Sequence, residues 1–186
     1  MSPDKSQLEL FNFPPISILY FALRPPDVEA QAIWLVARDQ CYRNGARRPL
    51  PAENLHISTN GIGQFPADVD QVIQAGQAVR GSPFEVVFDR LLSFRNGRQY
   101  PVVLSCDEGS AGVVRLRAAI AAELQRRGLP ADTGPFTPHL TLWYGQAPLP
   151  TQMLPRPFCW TVTDFWLIRT VYGTGRQKPE GHWTLH

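Results

Sequence analysis

Two short apolar segments, far apart in the chain, each carry a histidine followed two positions later by a hydroxyl residue. The first is His56 with Ser58, inside the sequence NLHIST, and the second is His139 with Thr141, inside PHLTL. In an extended strand, residues i and i+2 point to the same face. Each histidine is therefore predicted to stand beside its hydroxyl, with the flanking aliphatic side chains turned into a core. The pattern constrains the fold, because the rest of the chain must bring two similar strands together.

Hydrophobic periodicity predicts the elements around these segments. We expect strands at residues 16–23, 55–61, 84–88 (continued at 91–94), 100–105, 139–144, 158–170 and 181–185, and helices at 28–44, 67–80 and 113–127. Asn96 and Gly97 predict a hairpin, and residues 148–157 a proline-rich link. Because helices alternate with strands while hairpins also occur, an α+β fold with two antiparallel sheets is favoured over a doubly wound parallel sheet. The motifs fall in two similar halves, which indicates two lobes with a central groove.

Composition excludes several classes of protein. With 186 residues, 44% of them hydrophobic and 18% charged, the chain is expected to be an ordinary globular protein, long enough for one sizeable core or for two small lobes that share one. A net charge of +2 permits a phosphate-bearing ligand but does not indicate a broad nucleic-acid surface. The three cysteines are widely spaced and form no CxxC pair, which is typical of a reducing cytoplasm. No signal peptide or membrane-length apolar run is visible, so we expect a cytoplasmic protein without a membrane partner. We also expect a monomer.

The two histidine segments suit metal-independent phosphodiester chemistry. An imidazole with an ordinary pKa of ~6.5 accepts or donates a proton near neutral pH, and phosphodiester cleavage needs both a base and an acid. Ser58 and Thr141 would hold the non-bridging oxygens. No HxxxH pair or carboxylate cluster lies near either histidine in the sequence, so we expect neither metal nor cofactor. A lone histidine in an apolar strand is usually a core residue, and from the residues alone shared chemistry and coincidence remain equally open.

The chain resembles the two-histidine (2H) phosphoesterases, in particular the bacterial 2′-5′ RNA ligase or RNA 2′,3′-cyclic phosphodiesterase branch. The likeness rests on LHIS at 55–58 and FTPHLTL at 136–142, which match the paired HxTx/HxSx signatures. It extends to the opening strand followed by two prolines, to GIGQF at 61–65 and to residues 83–94. A late strand at 165–170 and the segment RGL at 127–129 complete it.

This resemblance implies one two-lobed domain over residues 1–186, with lobes related by a pseudo-twofold axis and helices packed outside. The implied activity opens an RNA 2′,3′-cyclic phosphate to a 2′-phosphate, and family members can join RNA ends through a 2′-5′ linkage. Carried over by position, His56 would donate a proton, His139 would activate water, and Ser58 and Thr141 would bind the phosphate. The alternatives are a small cyclic nucleotide or ADP-ribose cyclic phosphate as substrate, a non-catalytic nucleotide or RNA binder, and a structural domain with two core histidines.

The chain also departs from the family pattern. Ser58 stands where threonine is commoner, and Trp143 with Tyr144 follows the second motif where a basic residue is frequent. A tyrosine expected before the last strand is replaced by His182 or Trp183. These departures bear on substrate identity more than on the chemistry.

Several further residues are candidates for lining the groove. Arg47, next to Arg48, could reach a nucleotide phosphate, or the pair could be a solvated loop. Trp143 and Tyr144 could stack on a base, although aromatic residues beside a strand more often belong to the core. Arg169, on the late strand, faces a side that the sequence leaves open.

Overall fold

The computed structural model describes residues 17–46, 48–63, 68–171 and 175–186, and confirms an α+β fold. Among these residues no helix is both long and apolar enough to cross a membrane. Arg47 and the predicted start of the second helix, at residue 67, lie outside the described residues. The helices are α1 (Asp27–Arg43), α2 (Val69–Ala78) and α3 (Ala111–Arg126), with a 3-10 turn at Ala52–Asn54. The strands are β1 (Ser17–Leu23), β2 (Ile57–Gly63), β3 (Phe84–Ser93), β4 (Tyr100–Ser105), β5 (Leu140–Gly145), β6 (Gln152–Val162), β7 (Asp164–Val171) and β8 (Gln177–Thr184).

The eight strands of the described residues form one antiparallel sheet, in the order β6-β3-β4-β5-β2-β1-β7-β8. This corrects the expectation of two separate sheets. The sheet consists of two four-stranded halves that meet between β5 and β2, where a single residue pair, Ile57 with Leu140, joins them. The two halves of the sheet, which correspond to the two expected lobes, are therefore joined at one point, between β2 and β5.

The two halves repeat the same connection. In one, β1 leads through α1 to β2, and in the other β4 leads through α3 to β5. Helix α1 connects two strands of one half but contacts β5 and β6 of the other half. Helix α3 contacts β2 of one half and β3 of the other. Because the helices cross between the halves, both halves share one hydrophobic core.

The helices lie on one face of the sheet and leave the other face for a groove. On β1, Leu19, Phe21 and Leu23 belong to the main core together with residues of all three helices. Tyr20 and Ala22 point to the opposite face, where they form a small separate cluster with Ile168. The alternation of side chains along a strand thus divides the sheet into a packed face and a groove face.

The last third of the chain differs from the predicted boundaries. The predicted strand 158–170 is two strands, β6 and β7, and β6 begins inside the predicted proline-rich link. Pro155 and Pro157 are tolerated there because β6 is an edge strand, on which one row of N–H groups needs no partner. Pro179 lies in the other edge strand, β8, which also begins earlier than expected. The hairpin predicted at Asn96 and Gly97 is confirmed, with Gly97 at φ 59°.

Candidate active site

The pairing of Ile57 with Leu140 brings the two histidine segments side by side. His56 and His139 each immediately precede their strand. Antiparallel pairing about this point sets His56 across from Thr141, and His139 across from Ser58. Ile57 and Leu140 are fully buried in the core, so their neighbours on either side point toward the groove face. The structure therefore brings together all four residues predicted from the two motifs.

Both imidazoles are held in the same way. The Nδ1 atom of His56 donates to the backbone oxygen of Asn54 at 2.7 Å, and that of His139 donates to the backbone oxygen of Thr137 at 2.8 Å. A carbonyl oxygen only accepts hydrogen bonds, so Nδ1 carries the proton in each ring. Each Nε2 is consequently left to exchange protons with a ligand.

Side chains from both ends of the chain surround His56. The Tyr20 ring lies 5.2 Å from the imidazole, between centroids. The Gln177 amide nitrogen donates to the Asn54 carbonyl at 3.1 Å, and Arg24 donates to the Gln177 amide oxygen at 3.0 Å. Because Arg24 requires an acceptor, it fixes the orientation of the Gln177 amide. Arg24 and Gln177 were not predicted from the sequence, since no motif links residues so far apart in the chain.

The pKa of His56 lies below its ordinary value. Burial of the imidazole is the main cause, and the Asn54 carbonyl opposes it by favouring the protonated ring. The nearby positive charges of Arg24 and of protonated His139 lower the pKa further. Burial and these neighbouring charges together favour the neutral form of the His56 imidazole.

His139 has a simpler environment in the other half of the sheet. The ring of Phe94 meets it edge-on, with centroids 5.4 Å apart. The imidazole is partly exposed, Thr141 is half-buried and Ser58 is exposed. Both hydroxyls are accessible to a ligand in the groove.

A cleft of about 560 Å³ opens beside the first histidine, a size within the range of ligand sites. Tyr20, Asn54 and Gln177 lie in its wall, which continues onto the strand of the second histidine. The lining residues are Ile18, Tyr20, Arg48, Pro49, Leu50, Pro51, Asn54, His56, Ser58, Trp143, Tyr144, Thr170, Gly175 and Gln177.

A bulge in β5 decides which aromatic residue faces the groove. Thr141 pairs with Val103, but Trp143 pairs with Val102, so Leu142 is the extra residue. The bulge turns Trp143 into the core, where it is 2% exposed, and brings Tyr144, 50% exposed, to the groove. Trp143 reaches the cleft wall, but its buried ring offers little surface to a base. The backbone oxygen of Leu142 accepts a hydrogen bond from Leu50 at 2.7 Å.

Arg169, a candidate for lining the groove whose side the sequence leaves open, does not face the groove in the structure. Arg169 pairs across the sheet with Leu19, so the two side chains share the core face. Its guanidinium forms an ion pair with Glu180 at 2.8 Å. Arg47 lies outside the described residues, whereas its neighbour Arg48 is exposed and lines the cleft.

The last strand contacts the His56 segment through Gln177, not through the two residues expected to replace a family tyrosine. His182 stacks on Trp166, with ring centroids 3.8 Å apart. Trp183 packs against Phe21 and Phe165 at the core face. Neither side chain is in the cleft wall.

The fold and sequence resemble known proteins. The RNA 2′,3′-cyclic phosphodiesterase of Escherichia coli (strain K12) is 28% identical over 176 residues, which cover 90% of this chain and 96% of that protein. The crystal structure of E. coli LigT complexed with 3′-AMP superposes with a TM-score of 0.71 at 25% identity, covering 91% of this chain and 98% of that one. The TT0787 protein of Thermus thermophilus shares the fold, with a TM-score of 0.73 at 20% identity and coverage of 90% and 97%.

A family model described as the 2′-5′ RNA ligase superfamily matches residues 24–174. This match spans both histidine segments and most of the sheet. It agrees with the resemblance predicted from the two motifs. The chain belongs to the 2′-5′ RNA ligase superfamily of 2H phosphoesterases.

Proposed function

We propose that this protein is a metal-independent RNA 2′,3′-cyclic phosphodiesterase that opens the cyclic phosphate to a 2′-phosphate. One observation carries the proposal. The His56 and His139 imidazoles lie on the groove face of the sheet, each with Nδ1 bonded to a backbone oxygen, and a hydroxyl residue lies across from each on the paired strand. The name of the E. coli relative, which aligns over 90% of the chain, supports the same substrate class.

In the proposed reaction, His139 Nε2 takes a proton from water as the water oxygen attacks phosphorus. The bond between phosphorus and O3′ breaks, and the Nε2–H of protonated His56 gives its proton to O3′. The products are a 2′-phosphate and a free 3′-hydroxyl. Ser58 and Thr141 donate hydrogen bonds to the non-bridging oxygens, which carry the developing charge.

The lowered pKa of His56 makes its protonation dependent on the substrate. In the empty groove burial and Arg24 favour the neutral ring. A bound phosphodiester brings a negative charge next to the imidazole and so raises its pKa.

The same geometry supports 2′-5′ ligation, with the 5′-hydroxyl of a second RNA attacking in place of water.

The proposed enzyme acts in the cytoplasm as a monomer. Cys41, Cys106 and Cys159 are free thiols, which suits a reducing compartment. Light scattering during gel filtration is expected to give the mass of one 20.9 kDa chain.

The proposal is tested with purified protein in EDTA. We expect turnover of 2′,3′-cyclic mononucleotides and of RNA ending in a cyclic phosphate, with products identified as 2′-phosphates. Binding of a 2′-phosphonucleotide without turnover of any cyclic substrate would instead identify a non-catalytic binder. Preference for ADP-ribose cyclic phosphate over RNA ends would change the substrate class.

A further inference from the structure

A second cleft adjoins the cleft beside His56, which is the catalytic cleft of the proposed function. It has a volume of about 360 Å³ and lies between the end of α1 and the segment that follows β5. Arg48, Trp143 and Tyr144 belong to the walls of both clefts. The two clefts are therefore neighbours that share these walls, and we call the second one the side cleft.

The charge at the junction favours an anion. Among the described residues that line either cleft there is no aspartate or glutamate, and Arg48 is the one arginine or lysine. Arg48 is exposed and forms no ion pair within the described ranges of the chain. An unpaired guanidinium between two clefts without carboxylates is suited to a phosphate group.

The side cleft itself is suited to a neutral, flat group. Asn44 and Gln146 supply amide donors and acceptors, while Ala147 and Leu149 supply apolar surface. The half-exposed ring of Tyr144 stands at the boundary. Amides that bond base edges, together with an aromatic face, are what proteins use to hold single-stranded bases.

We propose that the side cleft binds the nucleotide that precedes the terminal one, and that Arg48 binds the phosphate linking the two. This inference rests on the proposed function and makes RNA ends of at least two nucleotides the preferred substrate over cyclic mononucleotides. A cyclic mononucleotide fills only the catalytic cleft and makes neither contact.

Three substrates separate the two contacts: a nucleoside 2′,3′-cyclic phosphate, the same compound with a 5′-phosphate, and a dinucleotide ending in the cyclic phosphate. For the wild type we expect kcat/KM to rise roughly tenfold with the 5′-phosphate, because a charge-assisted bond to Arg48 forms. It should rise again, roughly tenfold, with the second nucleoside, because its base enters the side cleft.

Two variants test which contact causes each increase in kcat/KM. Arg48→Gln is expected to lose the gain from the 5′-phosphate. Ala147→Trp places an indole in the side cleft and is expected to lose the gain from the second nucleoside, with Gln146→Trp as a second filling variant if the first does not fold. Arg156→Gln, which removes an exposed arginine from edge strand β6, is the matched control and should keep both gains.

The outcomes distinguish this proposal from the proposed function. Equal kcat/KM for the three substrates, or gains that persist in both variants, would overturn the side cleft as a binding site and leave the phosphodiesterase intact. No turnover of any of the three substrates would overturn the phosphodiesterase, and the side-cleft proposal with it.

Discussion

The two histidine segments share their backbone geometry but differ in their surroundings. In both, Nδ1 donates to the backbone oxygen two residues earlier, an aromatic ring lies against the imidazole, and a hydroxyl follows two residues later. Within the described part of the chain, only His56 stands beside a half-buried polar pair, Arg24 and Gln177. The same local sequence pattern thus produces two imidazoles in unequal electrostatic environments.

This difference indicates how one repeated motif can serve two roles. An acid and a base must hold different protonation states at the same moment. Burial and Arg24 disfavour the protonated form of His56, and in the proposed reaction a bound anion favours it, so the proton would be acquired together with the substrate. His139 has Phe94 as its neighbouring ring and no arginine comparable to Arg24 among its described contacts.

The largest expected effect comes from deleting either imidazole. His56→Ala and His139→Ala should each lower kcat for a cyclic phosphate by about 10²–10⁴-fold, the usual contribution of a general acid or base. Initial rates at saturating substrate measure this effect. His186→Ala, at the chain terminus, is the control and should keep full activity. Full activity in either of the other variants would show that the two segments do not form one catalytic pair.

A smaller effect is expected from the hydroxyls. Ser58→Ala and Thr141→Ala should each lower kcat/KM roughly 10–100-fold, because a hydrogen bond to a charged oxygen contributes about 1.5–3 kcal/mol. Ser58→Thr and Thr141→Ser retain the hydroxyl and should recover most of the activity. An equal loss in the alanine and the hydroxyl-retaining variants would mean that packing at these positions, not phosphate binding, sustains the rate.

The smallest expected effect is a change in the pKa of one histidine. Arg24→Met removes a positive charge near His56, so the protonated ring is less disfavoured and its pKa should rise, while remaining below the ordinary value because burial is the larger cause. NMR titration of the imidazoles measures this change. Arg24 stacks over the ring of Trp166, and Arg38 stacks in the same way over Trp34. Arg38→Met is therefore the matched control and should leave the pKa of His56 unchanged. An unchanged pKa of His56 in Arg24→Met would show that Arg24 does not contribute to lowering it.

Local patterns in the sequence predicted the parts of the site that depend on strand periodicity. Two histidines with hydroxyls at i+2 indicated four side chains on one face, and the chain order indicated two similar halves. The β5 bulge could not be predicted, because an extra residue shifts the alternation and only the pairing with β4 reveals it. For that reason Trp143 and Tyr144 exchange the faces that simple alternation assigns to them.

Long-range contacts account for the other differences. Arg24 and Gln177 meet because β1 and β8 both flank β7, and no local pattern encodes that pairing. Arg169 faces the core because its register with Leu19 is set by sheet assembly. The joining of the two half-sheets through one residue pair likewise depends on tertiary packing.

His56 and His139 are proposed to act together as acid and base. The pH dependence of kcat/KM tests this pairing, measured for the wild type and for the residual activities of His56→Ala and His139→Ala. The wild type should give a bell-shaped profile. Without the acid, the His56→Ala profile should lose its fall on the alkaline side, and without the base, the His139→Ala profile should lose its fall on the acid side. Retention of both limbs in both variants would contradict the claim.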